Sequence, residues 1–293
     1  MSAHVPVNRA LFARRKIANT IFLVLTALAT VIALVALALI LETLVVKGVH
    51  GFNAYIFTRS QPAARVDGMD YVEGGLLNGI VGSLEMCGIG MLIALVIGIL
   101  SGTWLAEYGD GTKLAAVVRF LNDILISAPS ILIGLYVSTI LVAPFHGFSG
   151  IAGAVALGIL AMPVATRATE DIMRLQPGAL REAGMALGAN RGLVIRQIMW
   201  RASRSGLITG ALLSFARISG ETAPLLFTSL GNSNLTFNLT HEMGSLPTTI
   251  YQFAMSADDD WQKLAWAGAL LIAGTVLFIN IMGRALTRGS MNK

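Results

Sequence analysis

Arg217 and Glu221 stand four residues apart in Phe215-Ala216-Arg217-Ile218-Ser219-Gly220-Glu221, and Arg167 and Glu170 stand three apart in Arg167-Ala168-Thr169-Glu170. Both pairs lie in or at the end of long apolar runs. Residues three and four apart share a helix face, so each spacing sets a carboxylate beside a guanidinium. Asp171 is a further candidate partner for Arg167. A guanidinium offers a planar fork of N–H donors that fits an oxyanion, and it stays charged at every relevant pH. The chemistry open to such pairs is the reversible holding of an anion. The carboxylate compensates the arginine when no anion is present and keeps binding from becoming too tight for release. The alternative is that the pairs only pin helices together. Pro163 and Pro224 sit close by and can kink a helix or free its carbonyls.

Bond-making chemistry has no signature here. His4, His50, His146 and His241 are scattered over tails and loops, and no Gly-rich phosphate cradle with Lys and Ser/Thr is present. The lone Cys87, in an apolar run, reads as packing. No catalytic residue, metal ligand set or bound cofactor is expected of this chain; any ATP is used by another.

The elements that must position these charges are membrane helices. Of 293 residues, 55% are hydrophobic and 13% charged, about half the charged share of a soluble protein; mean hydropathy is +0.72. Six runs meet the roughly 20-residue requirement of a spanning helix: about 17–46, 77–106, 118–144, 149–169, 205–228 and 264–285. The third is interrupted by Asp123 and Pro129. The first is too long for the h-region of a signal peptide and reads as an uncleaved span. Short alternating segments are missing, which excludes a β-barrel. The expected class is all-α, a polytopic membrane protein with about six transmembrane helices. Arg217 lies about 12 residues into the fifth run, roughly 18 Å deep at ~1.5 Å per residue. A charge near the bilayer centre costs several kcal/mol unless it faces protein or water. Glu85 and Asp123 are further intramembrane acids with no partner nearby in sequence.

Lys and Arg set the orientation. Arg9, Arg14, Arg15 and Lys16 in the N-terminal tail, Lys113, six arginines between Arg174 and Arg204, and Arg284, Arg288 and Lys293 fall on one side of six spans; Lys47, Arg59 and Arg65 fall on the other. Both termini and loop 174–204 are therefore expected in the cytoplasm. The net charge of +5 is topological and implies no nucleic acid. The first external loop also carries Asp67, Asp70 and Glu73 and reads as a surface segment. Loop 229–262 contains Asp258, Asp259 and Asp260 but also Phe237, Met243, Tyr251 and Phe253, which suggests a re-entrant or interfacial piece with its own packing. The chain divides into 1–76 (tail, first span, external loop), a five-helix core 77–285 and a tail 286–293.

Loop 174–204 is long and helix-forming. Small residues at Ala183, Gly184 and Ala186 make a narrow surface, and Gly188 ends one short helix before a second over 191–203. A compact helix across the membrane surface suits docking in a partner's groove; the alternative is an ordinary amphipathic surface helix. Glu182-Ala183-Gly184, three residues, Gly188, nine residues and Ile198 resemble the EAA loop of ABC importer permeases. Gly184 departs from the second Ala, and Trp200-Arg201 stands where Leu-Pro is common. Phe215 to Thr228, Leu105-Ala106-Glu107-Tyr108, Ala128-Pro129-Ser130-Ile131 and Trp261 to Gly268 resemble, in the same order, the A-type permease of phosphate-specific importers. The resemblance implies a MetI-like core in a bacterial inner membrane. It also implies a second related permease, two ATP-binding-cassette ATPases that use the ATP, and an extracytoplasmic phosphate-binding protein. It makes inorganic phosphate the cargo, where the arginines alone fit sulfate or molybdate equally. A stand-alone secondary transporter predicts inverted repeats and no docking loop, and no repeat is visible.

In a Cys87→Ala background, single cysteines at position 293 and within 174–204 should react with impermeant maleimide only after the membrane is opened, and those within 229–262 in intact cells. Labelling of position 293 from outside would overturn the orientation.

Overall fold

The structure, a computed structural model, describes residues 9–62 and 74–291, with side chains for 11–62 and 74–285. His4, Arg65, Asp67, Asp70, Glu73, Arg288 and Lys293 lie outside those described side chains. All regular structure among the described residues is helical. α1 (Arg9–His50) leads through a 3-10 turn (Ala54–Phe57) to α2 (Leu77–Glu107), α3 (Lys113–Ser127), α4 (Ser130–Val137) and α5 (Gly150–Arg174). The short α6 (Gly178–Ala186), α7 (Arg191–Val194) and α8 (Trp200–Ala202) form a hairpin, followed by α9 (Arg204–Ser219), α10 (Ala223–Thr228), α11 (Leu246–Ala254) and α12 (Asp259–Met291). Wider π turns extend α4 to Val142 and join α7 to α8.

Among the described residues, four helices are long and apolar enough to cross a membrane: α1, α2, α5 and α12. A fifth span exists if α3 and α4 with its π extension, bent by 103°, count as one. The run expected as a single helix over 205–228 is instead two pieces, α9 and α10. Both breaks have the same cause. A proline ring clashes with the carbonyl four residues back and removes a donor. Pro129 therefore ends α3 at Ser127, and Pro224 ends α9 before Gly220. Side-chain caps fix the helix starts: Thr112, Ser149 and Ser245 each accept an N–H three residues on, from Ala115, Ala152 and Thr248.

α2 and α5 form the centre. Lipid is as apolar as leucine, so helices associate in it by close packing of small residues. A Cβ on Gly90 would lie 3.0 Å from the Ala154 carbonyl oxygen, one on Gly98 2.6 Å from Ala165 Cβ, and one on Gly102 2.6 Å from Thr169 Cβ. These glycines recur at intervals of eight and four, on one face of α2. Ser101 and Thr166 add a hydroxyl–hydroxyl bond of 2.9 Å across the same seam. Met86, Leu157, Leu160, Ile218 and Leu225 complete the core around it. α9 lies against α5 where Gly206 and Gly210 meet Ile172 and Ala168.

At the end where α2 begins, Ile56, Leu76, Leu246, Phe253 and Leu264 make a second cluster. Most of the described part of the first loop is exposed, as a surface segment would be, with Ile56 and Pro62 turned inward. Within 229–262, α11 turns Phe253 inward against Trp261, with centroids 4.6 Å apart, Met243 enters the main core, and Phe237 and Tyr251 stay exposed. α1 joins α12 at its last turns, where Gly48 faces Leu270 and Gly51 the Lys263 carbonyl; the rest of its apolar surface is exposed.

Gly102→Val should overpack the α2–α5 seam and lower stability by about 1–3 kcal/mol, seen as a lower melting temperature in detergent. Gly88→Ala, with open space at its Cβ, should leave melting unchanged. Equal melting of both variants would remove the seam from its central place.

Candidate functional site

α9 buries Gly210, Ser214 and Ile218. Arg217 is on its other face and exposed, one turn beyond Leu213, which is 59% exposed. Arg217 has no hydrogen-bond or ion-pair partner among the described residues. The expected pairing with Glu221 does not form. α9 stops at Ser219, and the Glu221 N–H bonds to Ile218 O at 3.2 Å rather than to Arg217 O as a continuing helix would require. The i,i+4 relation is lost because Pro224 forces the break.

The second expected pair is also rearranged. Arg167 Nε bonds Asp171 Oδ2 at 3.1 Å, with both side chains about half exposed. Glu170 points the other way, into the bundle, where its side chain is 4% exposed. There Oε1 lies 2.7 Å from Arg119 Nε and 3.2 Å from Arg174 Nε. Arg174 and Arg119 also share Asp110, on the α2–α3 turn. Because α5 turns about 100° per residue, Arg167 and Glu170 flank the shared face without meeting, and Arg119 on α3 takes the carboxylate. Arg167 and Arg217 remain on exposed surface. α5 and α9 run antiparallel with Gly210 beside Ala168, so Arg217 lies about 10 Å farther along the bundle than Arg167 at ~1.5 Å per residue. Asp123 is exposed, and Glu85 Oε2 is buried without a partner.

Sequence spacing gave no hint of a second buried carboxylate. Glu107, at the end of α2, is 2% exposed and receives Arg181 Nε and Nη2 at 2.8–3.0 Å. The same guanidinium donates to Met173 O and Gln176 O. Glu107 with Arg181, and Arg119 with Glu170, are far apart in the chain, and for Glu107 the one available signal was an acid closing an apolar run; Arg174 stands four residues from Glu170, a spacing the sequence did offer.

The hairpin residues separate by position. Glu182 and Ala183 are exposed on α6. Gly184 is buried: a Cβ there would lie 2.8 Å from Ile198 Cδ1 and 2.9 Å from Val194 Cγ2, which explains why glycine replaces alanine. Ile198 is part of this inner contact. Gly188 adopts φ +83°, with nothing near its Cβ position, so it is required by backbone conformation and not by lack of room. Met185 and Leu187, 48% and 88% exposed, crown the hairpin.

Residues 94–291 match the family described as binding-protein-dependent transport system inner membrane component. The chain is 48% identical over 270 residues, 92% of its length and 94% of the relative's, to the phosphate transport system permease protein PstA of Haemophilus influenzae. It is 46% identical to the protein of that name from Yersinia pestis, over 93% of this chain and 90% of the relative. In fold it is similar to a chain of the inward-facing MetNI methionine ABC transporter, with a TM-score of 0.62 at 20% identity over 73% of this chain and 94% of that one.

Removing one partner of a buried ion pair costs far more than removing an exposed one. Arg119→Gln should lower stability by about 2–4 kcal/mol, with Arg174 left to cover Glu170; Arg167→Gln should change it by less than about 1 kcal/mol. Thermal unfolding in detergent measures both, and equal shifts would contradict the assignment.

Proposed function

The chain belongs to the family of binding-protein-dependent transport system inner membrane components, and from that membership we propose that it is one permease subunit of an ATP-driven importer of inorganic phosphate. The observation that carries the mechanism is Arg217, an unpaired guanidinium far from either end of the bundle on a face where Leu213 is also exposed. Lipid is a costly neighbour for such a group. This face therefore meets a second, related permease, and Arg217 and Arg167 line a watered path between the two chains. Arg217 has no carboxylate to release before it takes the anion; its compensation comes from the partner chain, from water or from the cargo. Arg167, held by Asp171, exchanges that carboxylate for the anion. Glu170 has a supporting role through Arg119 and Arg174, and Glu221, in the break between α9 and α10, borders the path. Relatives named for phosphate transport favour phosphate over sulfate or molybdate.

The hairpin docks on one of two ATPase subunits, which hold the ATP; this chain binds no cofactor. Glu182, Ala183, Met185 and Leu187 meet the groove, while Gly184, Gly188 and Ile198 give the hairpin its shape. Both termini and the hairpin are cytoplasmic, and the α11 end receives phosphate from an extracytoplasmic binding protein.

A hydrogen bond to a charged group contributes about 1.5–3 kcal/mol, so Arg217→Gln should lower ATP-driven uptake by at least about tenfold in proteoliposomes holding the assembled complex. Arg217→Lys should be intermediate, since it keeps charge but loses the fork. Adding Glu221→Gln to Arg217→Gln should restore nothing, because the two do not pair. Recovery in the double variant, or wild-type uptake in Arg217→Gln, contradicts the proposal; inhibition by excess sulfate would reassign the cargo.

A further inference from the structure

α2 is bonded at both of its ends to segments that are not its sequence neighbours. At the hairpin end its last turns hold three separate pieces of the hairpin. Thr103 Oγ1 accepts the Trp200 Nε1–H at 3.1 Å, the Glu107 carboxylate takes the Arg181 fork, and the Tyr108 ring lies under the Arg191 guanidinium at 4.4 Å. Trp200, Arg181 and Arg191 sit on α8, α6 and α7. The covalent route from α5 into the hairpin runs through Leu175, which is 81% exposed. Arg181, by bonding Met173 O and Gln176 O as well, fastens the end of α5 to the same post.

At the opposite end, the Leu246 N–H that opens α11 bonds Ser83 Oγ at 2.8 Å, and Asn78 Nδ2 donates to Asn232 O. Gly82 lies directly beneath the Gly244 carbonyl. α2 as a whole runs 31 residues without a proline, about 46 Å at ~1.5 Å per residue. Other parts of the core are interrupted: α3–α4 and α9–α10 are broken, and α5 contains Pro163.

We infer that α2 is the transmission rod of this permease, carrying displacement of the hairpin to the α11 segment across the membrane, with Glu107 as the positioning residue that joins the rod to the hairpin. The inference rests on the proposed function. A hairpin moved by its ATPase would shift Arg181, and the two-point grip on a buried carboxylate would pass that shift to α2 together with the end of α5. In the reverse direction, contact at the α11 end would reach the ATPase through the same pair.

The test uses the whole complex, reconstituted with its ATPases, second permease and binding protein, and reads phosphate imported per ATP hydrolysed. Allosteric couplings of this kind are worth about tenfold when a principal link is cut. Glu107→Gln should lower the ratio by about that factor and abolish stimulation of hydrolysis by phosphate-loaded binding protein, while the ATPase subunits still co-purify. The double variant Glu107→Gln/Arg181→Gln should be no worse than the worse single. A wild-type ratio in assembled Glu107→Gln, or additive losses in the double, overturns the inference. If Glu107→Gln does not assemble, Trp200→Phe with Tyr108→Leu decides: it leaves the ion pair intact, so a ratio reduced by about threefold supports the rod and a wild-type ratio overturns it. Failure of the underlying reading is distinct, because the wild-type complex would then import no phosphate.

Discussion

The close approach of α2 and α5 is the constraint on which the other features depend. Gly90, Gly98 and Gly102 let α5 come within backbone contact of α2, and that spacing positions both ends of the bundle. It brings the end of α2 to the end of α5, so that one arginine, Arg181, reaches Glu107 and two α5-related carbonyls together. It also lets the start of α2 receive the α11 segment beneath the Gly244 carbonyl. A larger side chain along the seam would move α2 outward and unseat the hairpin and the α11 contact alike.

Charges divide into two kinds around this frame. Glu107 and Glu170 are nearly fully buried; Glu107 is met by Arg181 and Glu170 by Arg119 from other segments, with Arg174 of its own helix beside it. Such pairs stay only where geometry and extra hydrogen bonds offset desolvation, and here the extra bonds are to backbone carbonyls at helix ends. Arg217 is the opposite case, with neither burial nor partner. The two buried carboxylates go to arginines that hold helices, and Arg217, which faces outward, is left without one.

Much of the architecture was readable from hydropathy, because a spanning helix must be long and apolar whatever surrounds it. The hairpin was readable too, from Gly188 and the small residues before it, which report local backbone conformation. Pairings were not. Local periodicity placed Glu221 beside Arg217 and Glu170 beside Arg167, but Pro224 ends the helix in the first case and Arg119 on α3 takes the carboxylate in the second. Glu107 and Arg181 are 74 residues apart, and no short-range rule connects them. Gly184, a departure from the expected alanine, became intelligible only once Val194 and Ile198 were seen across from it.

The attachment of α1 bears on how the chain is made. Its principal contact is with α12, which leaves the ribosome after every other described helix, and synthesis proceeds at about 5–20 residues per second. Between Gly48 and Leu270 lie more than two hundred residues, so α1 waits in the bilayer for about 10–40 s before its neighbour exists. A helix in that position must be a complete membrane solute by itself. α1 meets the requirement over most of its length: residues 17–41 carry no charged side chain, and the hydroxyls of Thr20, Thr26, Thr30 and Thr43 each bond a carbonyl one turn earlier in the same helix. The order of translation is thereby written into its composition, and insertion of the first helix need not be synchronised with the arrival of the last.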